Sequence, residues 1–293
     1  MKQQHAMESV CPPAAAECSH EALPLVVFPR GPSAAADRAA ALRGCAERYL
    51  PRVGSILFRG FAVHGAAEFR RFVQGFGACV STPLHAAALG GFAGPGRLWL
   101  GCAAEAAETC RTRIADNREL YANLSVALRT RIIERGLRFV LTLGGQAGWR
   151  DVFQTEDRAQ LEAFCRAHGT RFEWLPQDAL RIERKGPRLA RHPDTGEPSW
   201  IDAGPLLHYA WGQTDAALGG ATFEVLYGDG ARFEPPLGDG IVEAFSASAS
   251  RVEWEAGDVL LIDGAMISAQ ISDRHRDGLC FATETIAGFF RLS

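Results

Sequence analysis

Trp254-Glu-Ala-Gly-Asp-Val-Leu-Leu-Ile-Asp263 is the stretch whose reading decides the fold. Within it the short apolar run Val259–Asp263 reads as a closing strand. Val252-Glu-Trp254 before it and Leu279-Cys-Phe-Ala-Thr-Glu-Thr-Ile286 after it read as companion closing strands. Working toward the N-terminus, Arg97-Leu-Trp-Leu-Gly101 and Ser55-Ile-Leu-Phe-Arg-Gly60 are strands of the same kind. Arg171–Leu175 and Ala179–Glu183 alternate like half-buried strands.

Helices are fewer. The spacing of Leu42, Cys45 and Tyr49 predicts a helix from about Ala36 to Tyr49. Phe69, Phe72 and Phe76 mark one face of another from Ala66. Arg118 to Arg135 is expected as one long helix, with Leu120, Leu124, Leu128 and Ile132 on a stripe and Gly136 as its stop. Thr155 to His168 is a further helix, capped by Thr155 or Asp157. Gly228-Asp-Gly230 and Gly238-Asp-Gly240 read as turns, with a helix from about Gly240 to Ser246. Residues 1–23 are polar, without periodicity, and are expected to be a loose leader. Residues 24–293 form a single domain, with no repeat or linker. Many short strands with Gly/Pro turns and a few helices predict an α+β fold on a barrel or jelly roll.

Composition narrows the function. The 293 residues are 47% hydrophobic and 22% charged, with 31 basic against 34 acidic side chains and a net charge of −3. That balance gives no electrostatic reason to expect nucleic acid or an anionic membrane as partner. No apolar run approaches the roughly 20 residues that span a bilayer. No export signal is visible, so a cytoplasmic location is expected. The eight cysteines have no C-x-x-C spacing and read as reduced and packed. There is no P-loop, Rossmann fingerprint or G-x-S-x-G elbow.

From about residue 24 onward the order of elements and several motifs resemble the TauD/TfdA-like branch of iron(II)/2-oxoglutarate dioxygenases, clavaminate synthase-like proteins. The likeness is carried by Leu57-Phe-Arg-Gly-Phe61, Thr112-Arg-Ile-Ala-Asp-Asn-Arg118, Trp149-Arg-Asp-Val-Phe-Gln-Thr-Glu-Asp-Arg158, His192-Pro-Asp-Thr-Gly-Glu-Pro-Ser-Trp-Ile-Asp202 and Trp254–Asp263. The resemblance implies a double-stranded β-helix (jelly roll) core with flanking helices. It also implies iron(II) held by two His and one carboxylate, with open positions for 2-oxoglutarate and oxygen.

Here the resemblance and the residues part. The first metal motif aligns with Thr82-Pro-Leu-His85-Ala86-Ala87, which keeps the His but puts Ala87 at the carboxylate position. The distal His position is Ala269, and a shift of one residue offers only Ser268 or Gln270. The last strand lacks the Arg that would grip 2-oxoglutarate, and Glu284 would repel it from inside the pocket. Thr112, which the family places near that carboxylate, survives. One imidazole does not hold iron(II) in a defined geometry against water. The metal triad is therefore read as degenerate and the expected cofactor set is none.

The remaining chemistry falls to His85, which is either an acid/base facing the pocket or a hydrogen-bonded core histidine. Asp202 stands as a further acid or base. His208 stands as a catalytic candidate with Tyr209 and Trp211 at the pocket mouth, or all three pack under a lid. Cys280 is a nucleophile with His85 as base or, more in keeping with strand cysteines, a small apolar residue. His192-Pro-Asp194 and His275-Arg-Asp277 read as exposed turns and loops. Thr112, Tyr209, Trp211 and Glu284 are the expected substrate contacts.

Three functions follow. The chain is a metal-independent tailoring enzyme (lyase, isomerase, cyclase or transferase in type) for a small or carrier-protein-bound metabolite. Otherwise it is an inactive pseudo-oxygenase that binds a paralogue, a carrier or a second copy of itself. Last comes an oxygenase with an atypical metal site, for example His85, Asp202 and His208.

Overall fold

The computed structural model describes residues 16–19, 23–29, 35–76, 97–102, 112–144, 148–153, 155–167, 169–186, 188–191, 196–201, 221–271 and 279–284, and the structural statements here concern those residues. The first third holds β1 (Ala16–Ser19), β2 (Leu25–Pro29), α1 (Ala35–Val53), β3 (Ser55–Phe58), α2 (Ala66–Gln74) and β4 (Arg97–Cys102). The middle holds β5 (Thr112–Asp116), α3 (Asn117–Asn123), α4 (Val126–Arg135), β6 (Leu137–Leu143), α5 (Trp149–Phe153), α6 (Arg158–Ala167), β7 (Arg171–Leu175) and β8 (Ala179–Lys185). The remainder holds β9 (Arg188–Arg191), β10 (Pro198–Ile201), β11 (Thr222–Tyr227), α7 (Pro235–Ser248), β12 (Ala249–Val252), β13 (Val259–Asp263), β14 (Ile267–Ile271) and β15 (Leu279–Glu284). The chain is thus mixed α+β, as its sequence pattern predicts.

The apolar strand over Val259–Asp263 is central. β13 lies between β3 and β4 in a six-stranded sheet ordered β1-β2-β3-β13-β4-β15. Its residues Val259 to Ile262 are all buried because both faces of the sheet are covered. Val259 and Leu261 point to the side where α1 and α2 pack, with Leu42, Cys45, Tyr49, Leu50, Phe69 and Val73. Leu260 and Ile262 point to the other side, which faces a three-stranded sheet ordered β12-β5-β14. Side-chain alternation along a strand makes this two-sided division obligatory. Gly101 on β4 sits under α2. A Cβ there would come within 2.4 Å of the Phe69 ring, so the glycine sets how closely that helix docks.

The second face of the three-stranded sheet carries Ala115 into a further core. That core joins α3 to α7 to a four-stranded sheet ordered β11-β6-β8-β7. β9 and β10 form a separate antiparallel pair, whose Trp200 packs edge-on against Tyr121 of α3.

Several expectations need correction. The long helix over 118–135 is two helices, broken where Leu124 turns extended (φ −67°, ψ 142°) and Ser125 caps α4 by accepting a hydrogen bond from Leu128 N–H. The stripe is nonetheless real, since Leu120, Leu124, Leu128 and Ile132 are all buried. Gly238-Asp-Gly240 is not a turn but lies inside α7, which starts earlier, at Pro235. Gly240 is accommodated there because α4 lies close: a Cβ would reach 3.3 Å from Leu128 Cδ2. α6 starts at Arg158, and Asp157 rather than Thr155 accepts from its first amides. Ala16–Ser19, within the expected leader, pairs antiparallel with β2.

Candidate functional site

Among the described residues, the space between the six-stranded and three-stranded sheets is filled by a packed apolar cluster of Leu57, Leu100, Cys102, Ile114, Val252, Trp254, Leu260, Ile262 and Ile267, with partly buried Leu98, Met266 and Ala269 against it. Motifs that carry the resemblance supply part of this cluster and of its surroundings.

Thr112 is fully buried on the same face of β5 as Ile114, and its Oγ1 accepts a hydrogen bond from Trp254 Nε1–H at 3.1 Å. Two residues quoted for the resemblance are thereby joined across the sheet. Asp116 ends the same strand and caps α3 by accepting from Arg118 N–H at 2.7 Å. The Arg118 guanidinium folds back on that carboxylate and also reaches Glu197, which follows the His192–Thr195 stretch.

Asn117 is fully buried and clamps the turn between β13 and β14. Its Nδ2–H donates to Ala265 C=O, its N–H to Met266 C=O, and its Oδ1 accepts from the Ser268 hydroxyl at 2.6 Å. Asp263 starts that turn and accepts from Ala265 N–H. Burial pushes the Asp263 carboxyl above its ordinary range, against the opposing pull of the Ala265 amide and of Arg97.

A second pair of quoted motifs meets at Arg59. Arg59 donates through Nε and Nη2 to the buried Asp258 carboxylate, and its Nη1 lies 2.9 Å from Glu255. These hydrogen bonds and charges raise the Arg59 pKa, and its Nη2 also donates to Glu253 C=O.

The fit of an iron(II)/2-oxoglutarate centre can be tested on β14 and β15. Ile267 belongs to the apolar cluster between the sheets and Ala269, which the resemblance aligns with the distal His, packs against it. Ser268 points to the opposite face and its hydroxyl is engaged by Asn117. In β15, register sets Cys280 opposite Gly101 and Glu284 opposite Arg97. Leu279, Phe281 and Thr283 alternate with them along the pairing with β4. At Ile267 and Ala269, β14 carries no nitrogen or carboxylate donor for iron. Among the described residues no group of three or more His, Cys, Asp and Glu is placed to hold a metal ion.

Of the sequence-derived site residues, Thr112 is fully buried on β5 and Ala269 packs against the cluster between the sheets. Cys280 and Glu284 share β15, paired with Gly101 and Arg97 of β4. His85, Ala87, Asp202, His208, Tyr209, Trp211, His192 and His275 lie outside the described residues. Asn117 and Arg59 were not singled out from sequence, though both lie inside the quoted motifs, which was the available signal; Ser268 was weighed only as a poor iron ligand. Away from this cluster, a cavity of about 300 Å³ opens between α4 and α7, lined by Ser125, Ala127, Leu128, Arg131, Leu237 and Gly240. Arg131 there lies 3.8 Å from Glu234. Cys45, Cys102 and Cys165 are buried without disulfides, and burial pushes the Cys165 thiol up to about 11.

The chain is similar to iron- and 2-oxoglutarate-dependent dioxygenases of the TauD/TfdA-like kind, as its motifs indicate. In particular, it is 24% identical over 184 residues to the dapdiamide synthesis protein DdaC of Enterobacter agglomerans. That match covers 59% of this chain and 56% of DdaC, so it spans little more than half of the curated relative. Among solved structures it is similar to PvcB of Pseudomonas aeruginosa, described as an Fe, alpha-ketoglutarate dependent oxygenase from an isonitrile synthetic pathway. There the identity is 15%, the TM-score 0.47, and the coverage 89% of this chain and 85% of PvcB. AAD-2, solved with Mn(II) and N-oxalylglycine, gives 11% identity and a TM-score of 0.48, over 92% of this chain and 97% of AAD-2. No family model matches the sequence. No helix among the described residues is long and apolar enough to cross a membrane.

Proposed function

We propose that this chain is a divergent TauD/TfdA-like protein on a double-stranded β-helix that works without iron or 2-oxoglutarate. In this reading it is a non-oxidative tailoring enzyme for a small or carrier-tethered metabolite in a biosynthetic pathway. The roll topology is supported by the path of the chain, which passes from the three-stranded sheet (β12) to the six-stranded (β13), back (β14) and over again (β15). The pathway class is supported by the likeness to a dapdiamide synthesis protein.

The observation that carries the reading is the placement of β14. Ala269, which the resemblance aligns with the distal His, packs against the apolar cluster between the sheets, and the Ser268 hydroxyl is engaged by Asn117, which supports the reading. A facial triad needs an imidazole there. Turnover then rests on proton transfer, cyclisation, elimination or group transfer, with His85 as acid or base and Asp202 and His208 as its candidate partners.

Anaerobic titration of the purified protein with iron(II), followed by 2-oxoglutarate and oxygen, tests this directly. The expected result is no stoichiometric iron and no succinate. Tight stoichiometric iron with succinate formation overturns the reading. A folded His85→Ala variant is expected to lose pathway output, and unchanged output would point instead to a binding or scaffold role.

A further inference from the structure

We propose that the outward face of α4 is a self-association surface, on which two copies of this chain meet with their α4 helices parallel. Such a contact is independent of the chemistry proposed above. The inner side of α4 is taken up by the core, through buried Leu128 and Ile132. Its outer side carries Val126 and Ile133, 70% and 55% exposed, the two most exposed large apolar side chains among the described residues. With exposed Thr130 between them they fall at i, i+4 and i+7, on one straight stripe. Two such side chains on a single stripe mark a contact surface, where isolated ones would not.

The charges beside the stripe identify the partner. Arg131 and Arg135 pair with Glu234 and Asp229 inside the chain. Arg129 and Glu134 have no ion pair among the described residues: Arg129 lies 5.3 Å from the Tyr121 ring, and Glu134 is exposed. They flank the stripe on opposite sides, five residues apart. In two parallel helices packed along such a stripe, a flanking residue of one faces the residue five positions further on in the other. Arg129 therefore meets Glu134 of the second copy, and the two-fold axis repeats the pair, so the unmatched charges of both chains are answered together. An antiparallel pair about Thr130 would instead set Arg129 against its own copy. The face is thus complementary to itself in charge as well as in its apolar stripe. α4 has ten residues, a contact line of about 15 Å. That buries much less than the roughly 1,600 Å² of a standard interface, so the association is weak and reversible.

Sedimentation velocity of the full chain, from micromolar to millimolar concentration, tests this. The unaltered protein is expected to move from the mass of one chain toward that of two. Arg129→Glu and Glu134→Arg are each expected to weaken the association about tenfold. An equimolar mixture of the two variants is expected to recover it, because both cross pairs are again opposite in sign. Val126→Cys, mildly oxidised, is expected to cross-link to its own copy, as parallel helices require, with the unaltered protein as the control for native cysteines. Should Arg129→Glu disturb the fold by giving up Tyr121, Val126→Asp reads the same surface from a solvent-facing site, with a similar loss expected. A monomer at every concentration overturns the proposal and leaves the stripe to a different protein. So does a dimer indifferent to these variants, which would be built on another face, or a mixture no stronger than either variant alone.

Discussion

Asp178 shows how much a single side chain can hold together. It sits in the connection between β7 and β8, where Gln177 (φ 62°) and Asp178 (φ 60°) both adopt left-handed backbone. For residues with a Cβ that conformation costs about 1 kcal/mol each. The compensation is electrostatic. Arg150 and Arg158 both bond the Asp178 carboxylate, and each guanidinium lies 4.3 Å from a tryptophan ring, Trp149 and Trp174 respectively. The two arginines hold the carboxyl down to a pKa of about 2. That is below the ordinary aspartate value of roughly 3.9, so the stabilisation is complete above about pH 4 and lost as pH falls toward 2. Asp178→Asn is therefore expected to lower the Tm at pH 7, with the difference from the unaltered protein constant down to pH 4 and closing below it. A difference that stays the same at pH 3 would show that charge is not what holds the loop. Sequence exposes none of this, because the partners of Asp178 lie 28 and 20 residues away across a helix.

At the scale of elements, what was legible depended on whether the signal was local. α2, β3, β4 and β13 follow from periodicity and bounding glycines. β14 did not, because Ile267-Ser-Ala-Gln-Ile271 has neither a strong strand composition nor a marked turn. Its position is set by a distant residue, Asn117, which fixes the preceding turn from the start of α3. The break between α3 and α4 was missed for the opposite reason: the apolar stripe continues straight through it, and Ser125 alone signals the new start. Asn117→Ala is expected to cost about 2–3 kcal/mol in urea unfolding, since it strands the buried Ser268 hydroxyl and the Ala265 carbonyl. Adding Ser268→Ala should cost less than its single effect, because the two side chains share one hydrogen bond. Full additivity would mean that the turn does not depend on the pair.

For the whole molecule, the motifs that suggested the fold turn out to be its fasteners. Leu57–Phe61 and Trp254–Asp263 meet through Arg59 and Asp258, and Thr112–Arg118 meets Trp254–Asp263 through Thr112 and Trp254. This explains why the architecture was legible: the quoted residues fasten neighbouring strands within each sheet, Arg59 to Asp258 in the six-stranded and Thr112 to Trp254 in the three-stranded. Of the candidate site, sequence placed Thr112 beside Trp254 only through the quoted motifs; the pairing of β15 with β4 was not legible, because a strand's register is fixed by its partner and not by its own composition.

The pairing of Ala16–Ser19 with β2 has one more consequence. These four residues cap the rim of the largest sheet, covering the backbone of Val26 to Pro29 next to the exposed ring of Phe28. Removal of residues 1–19 would uncover a ready template for a neighbouring copy's strand. The shortened protein should keep its far-ultraviolet dichroism yet grow in apparent mass with concentration, by light scattering, beyond what the unaltered protein reaches. A shortened protein that matched the unaltered one would mean that β2 guards its own margin.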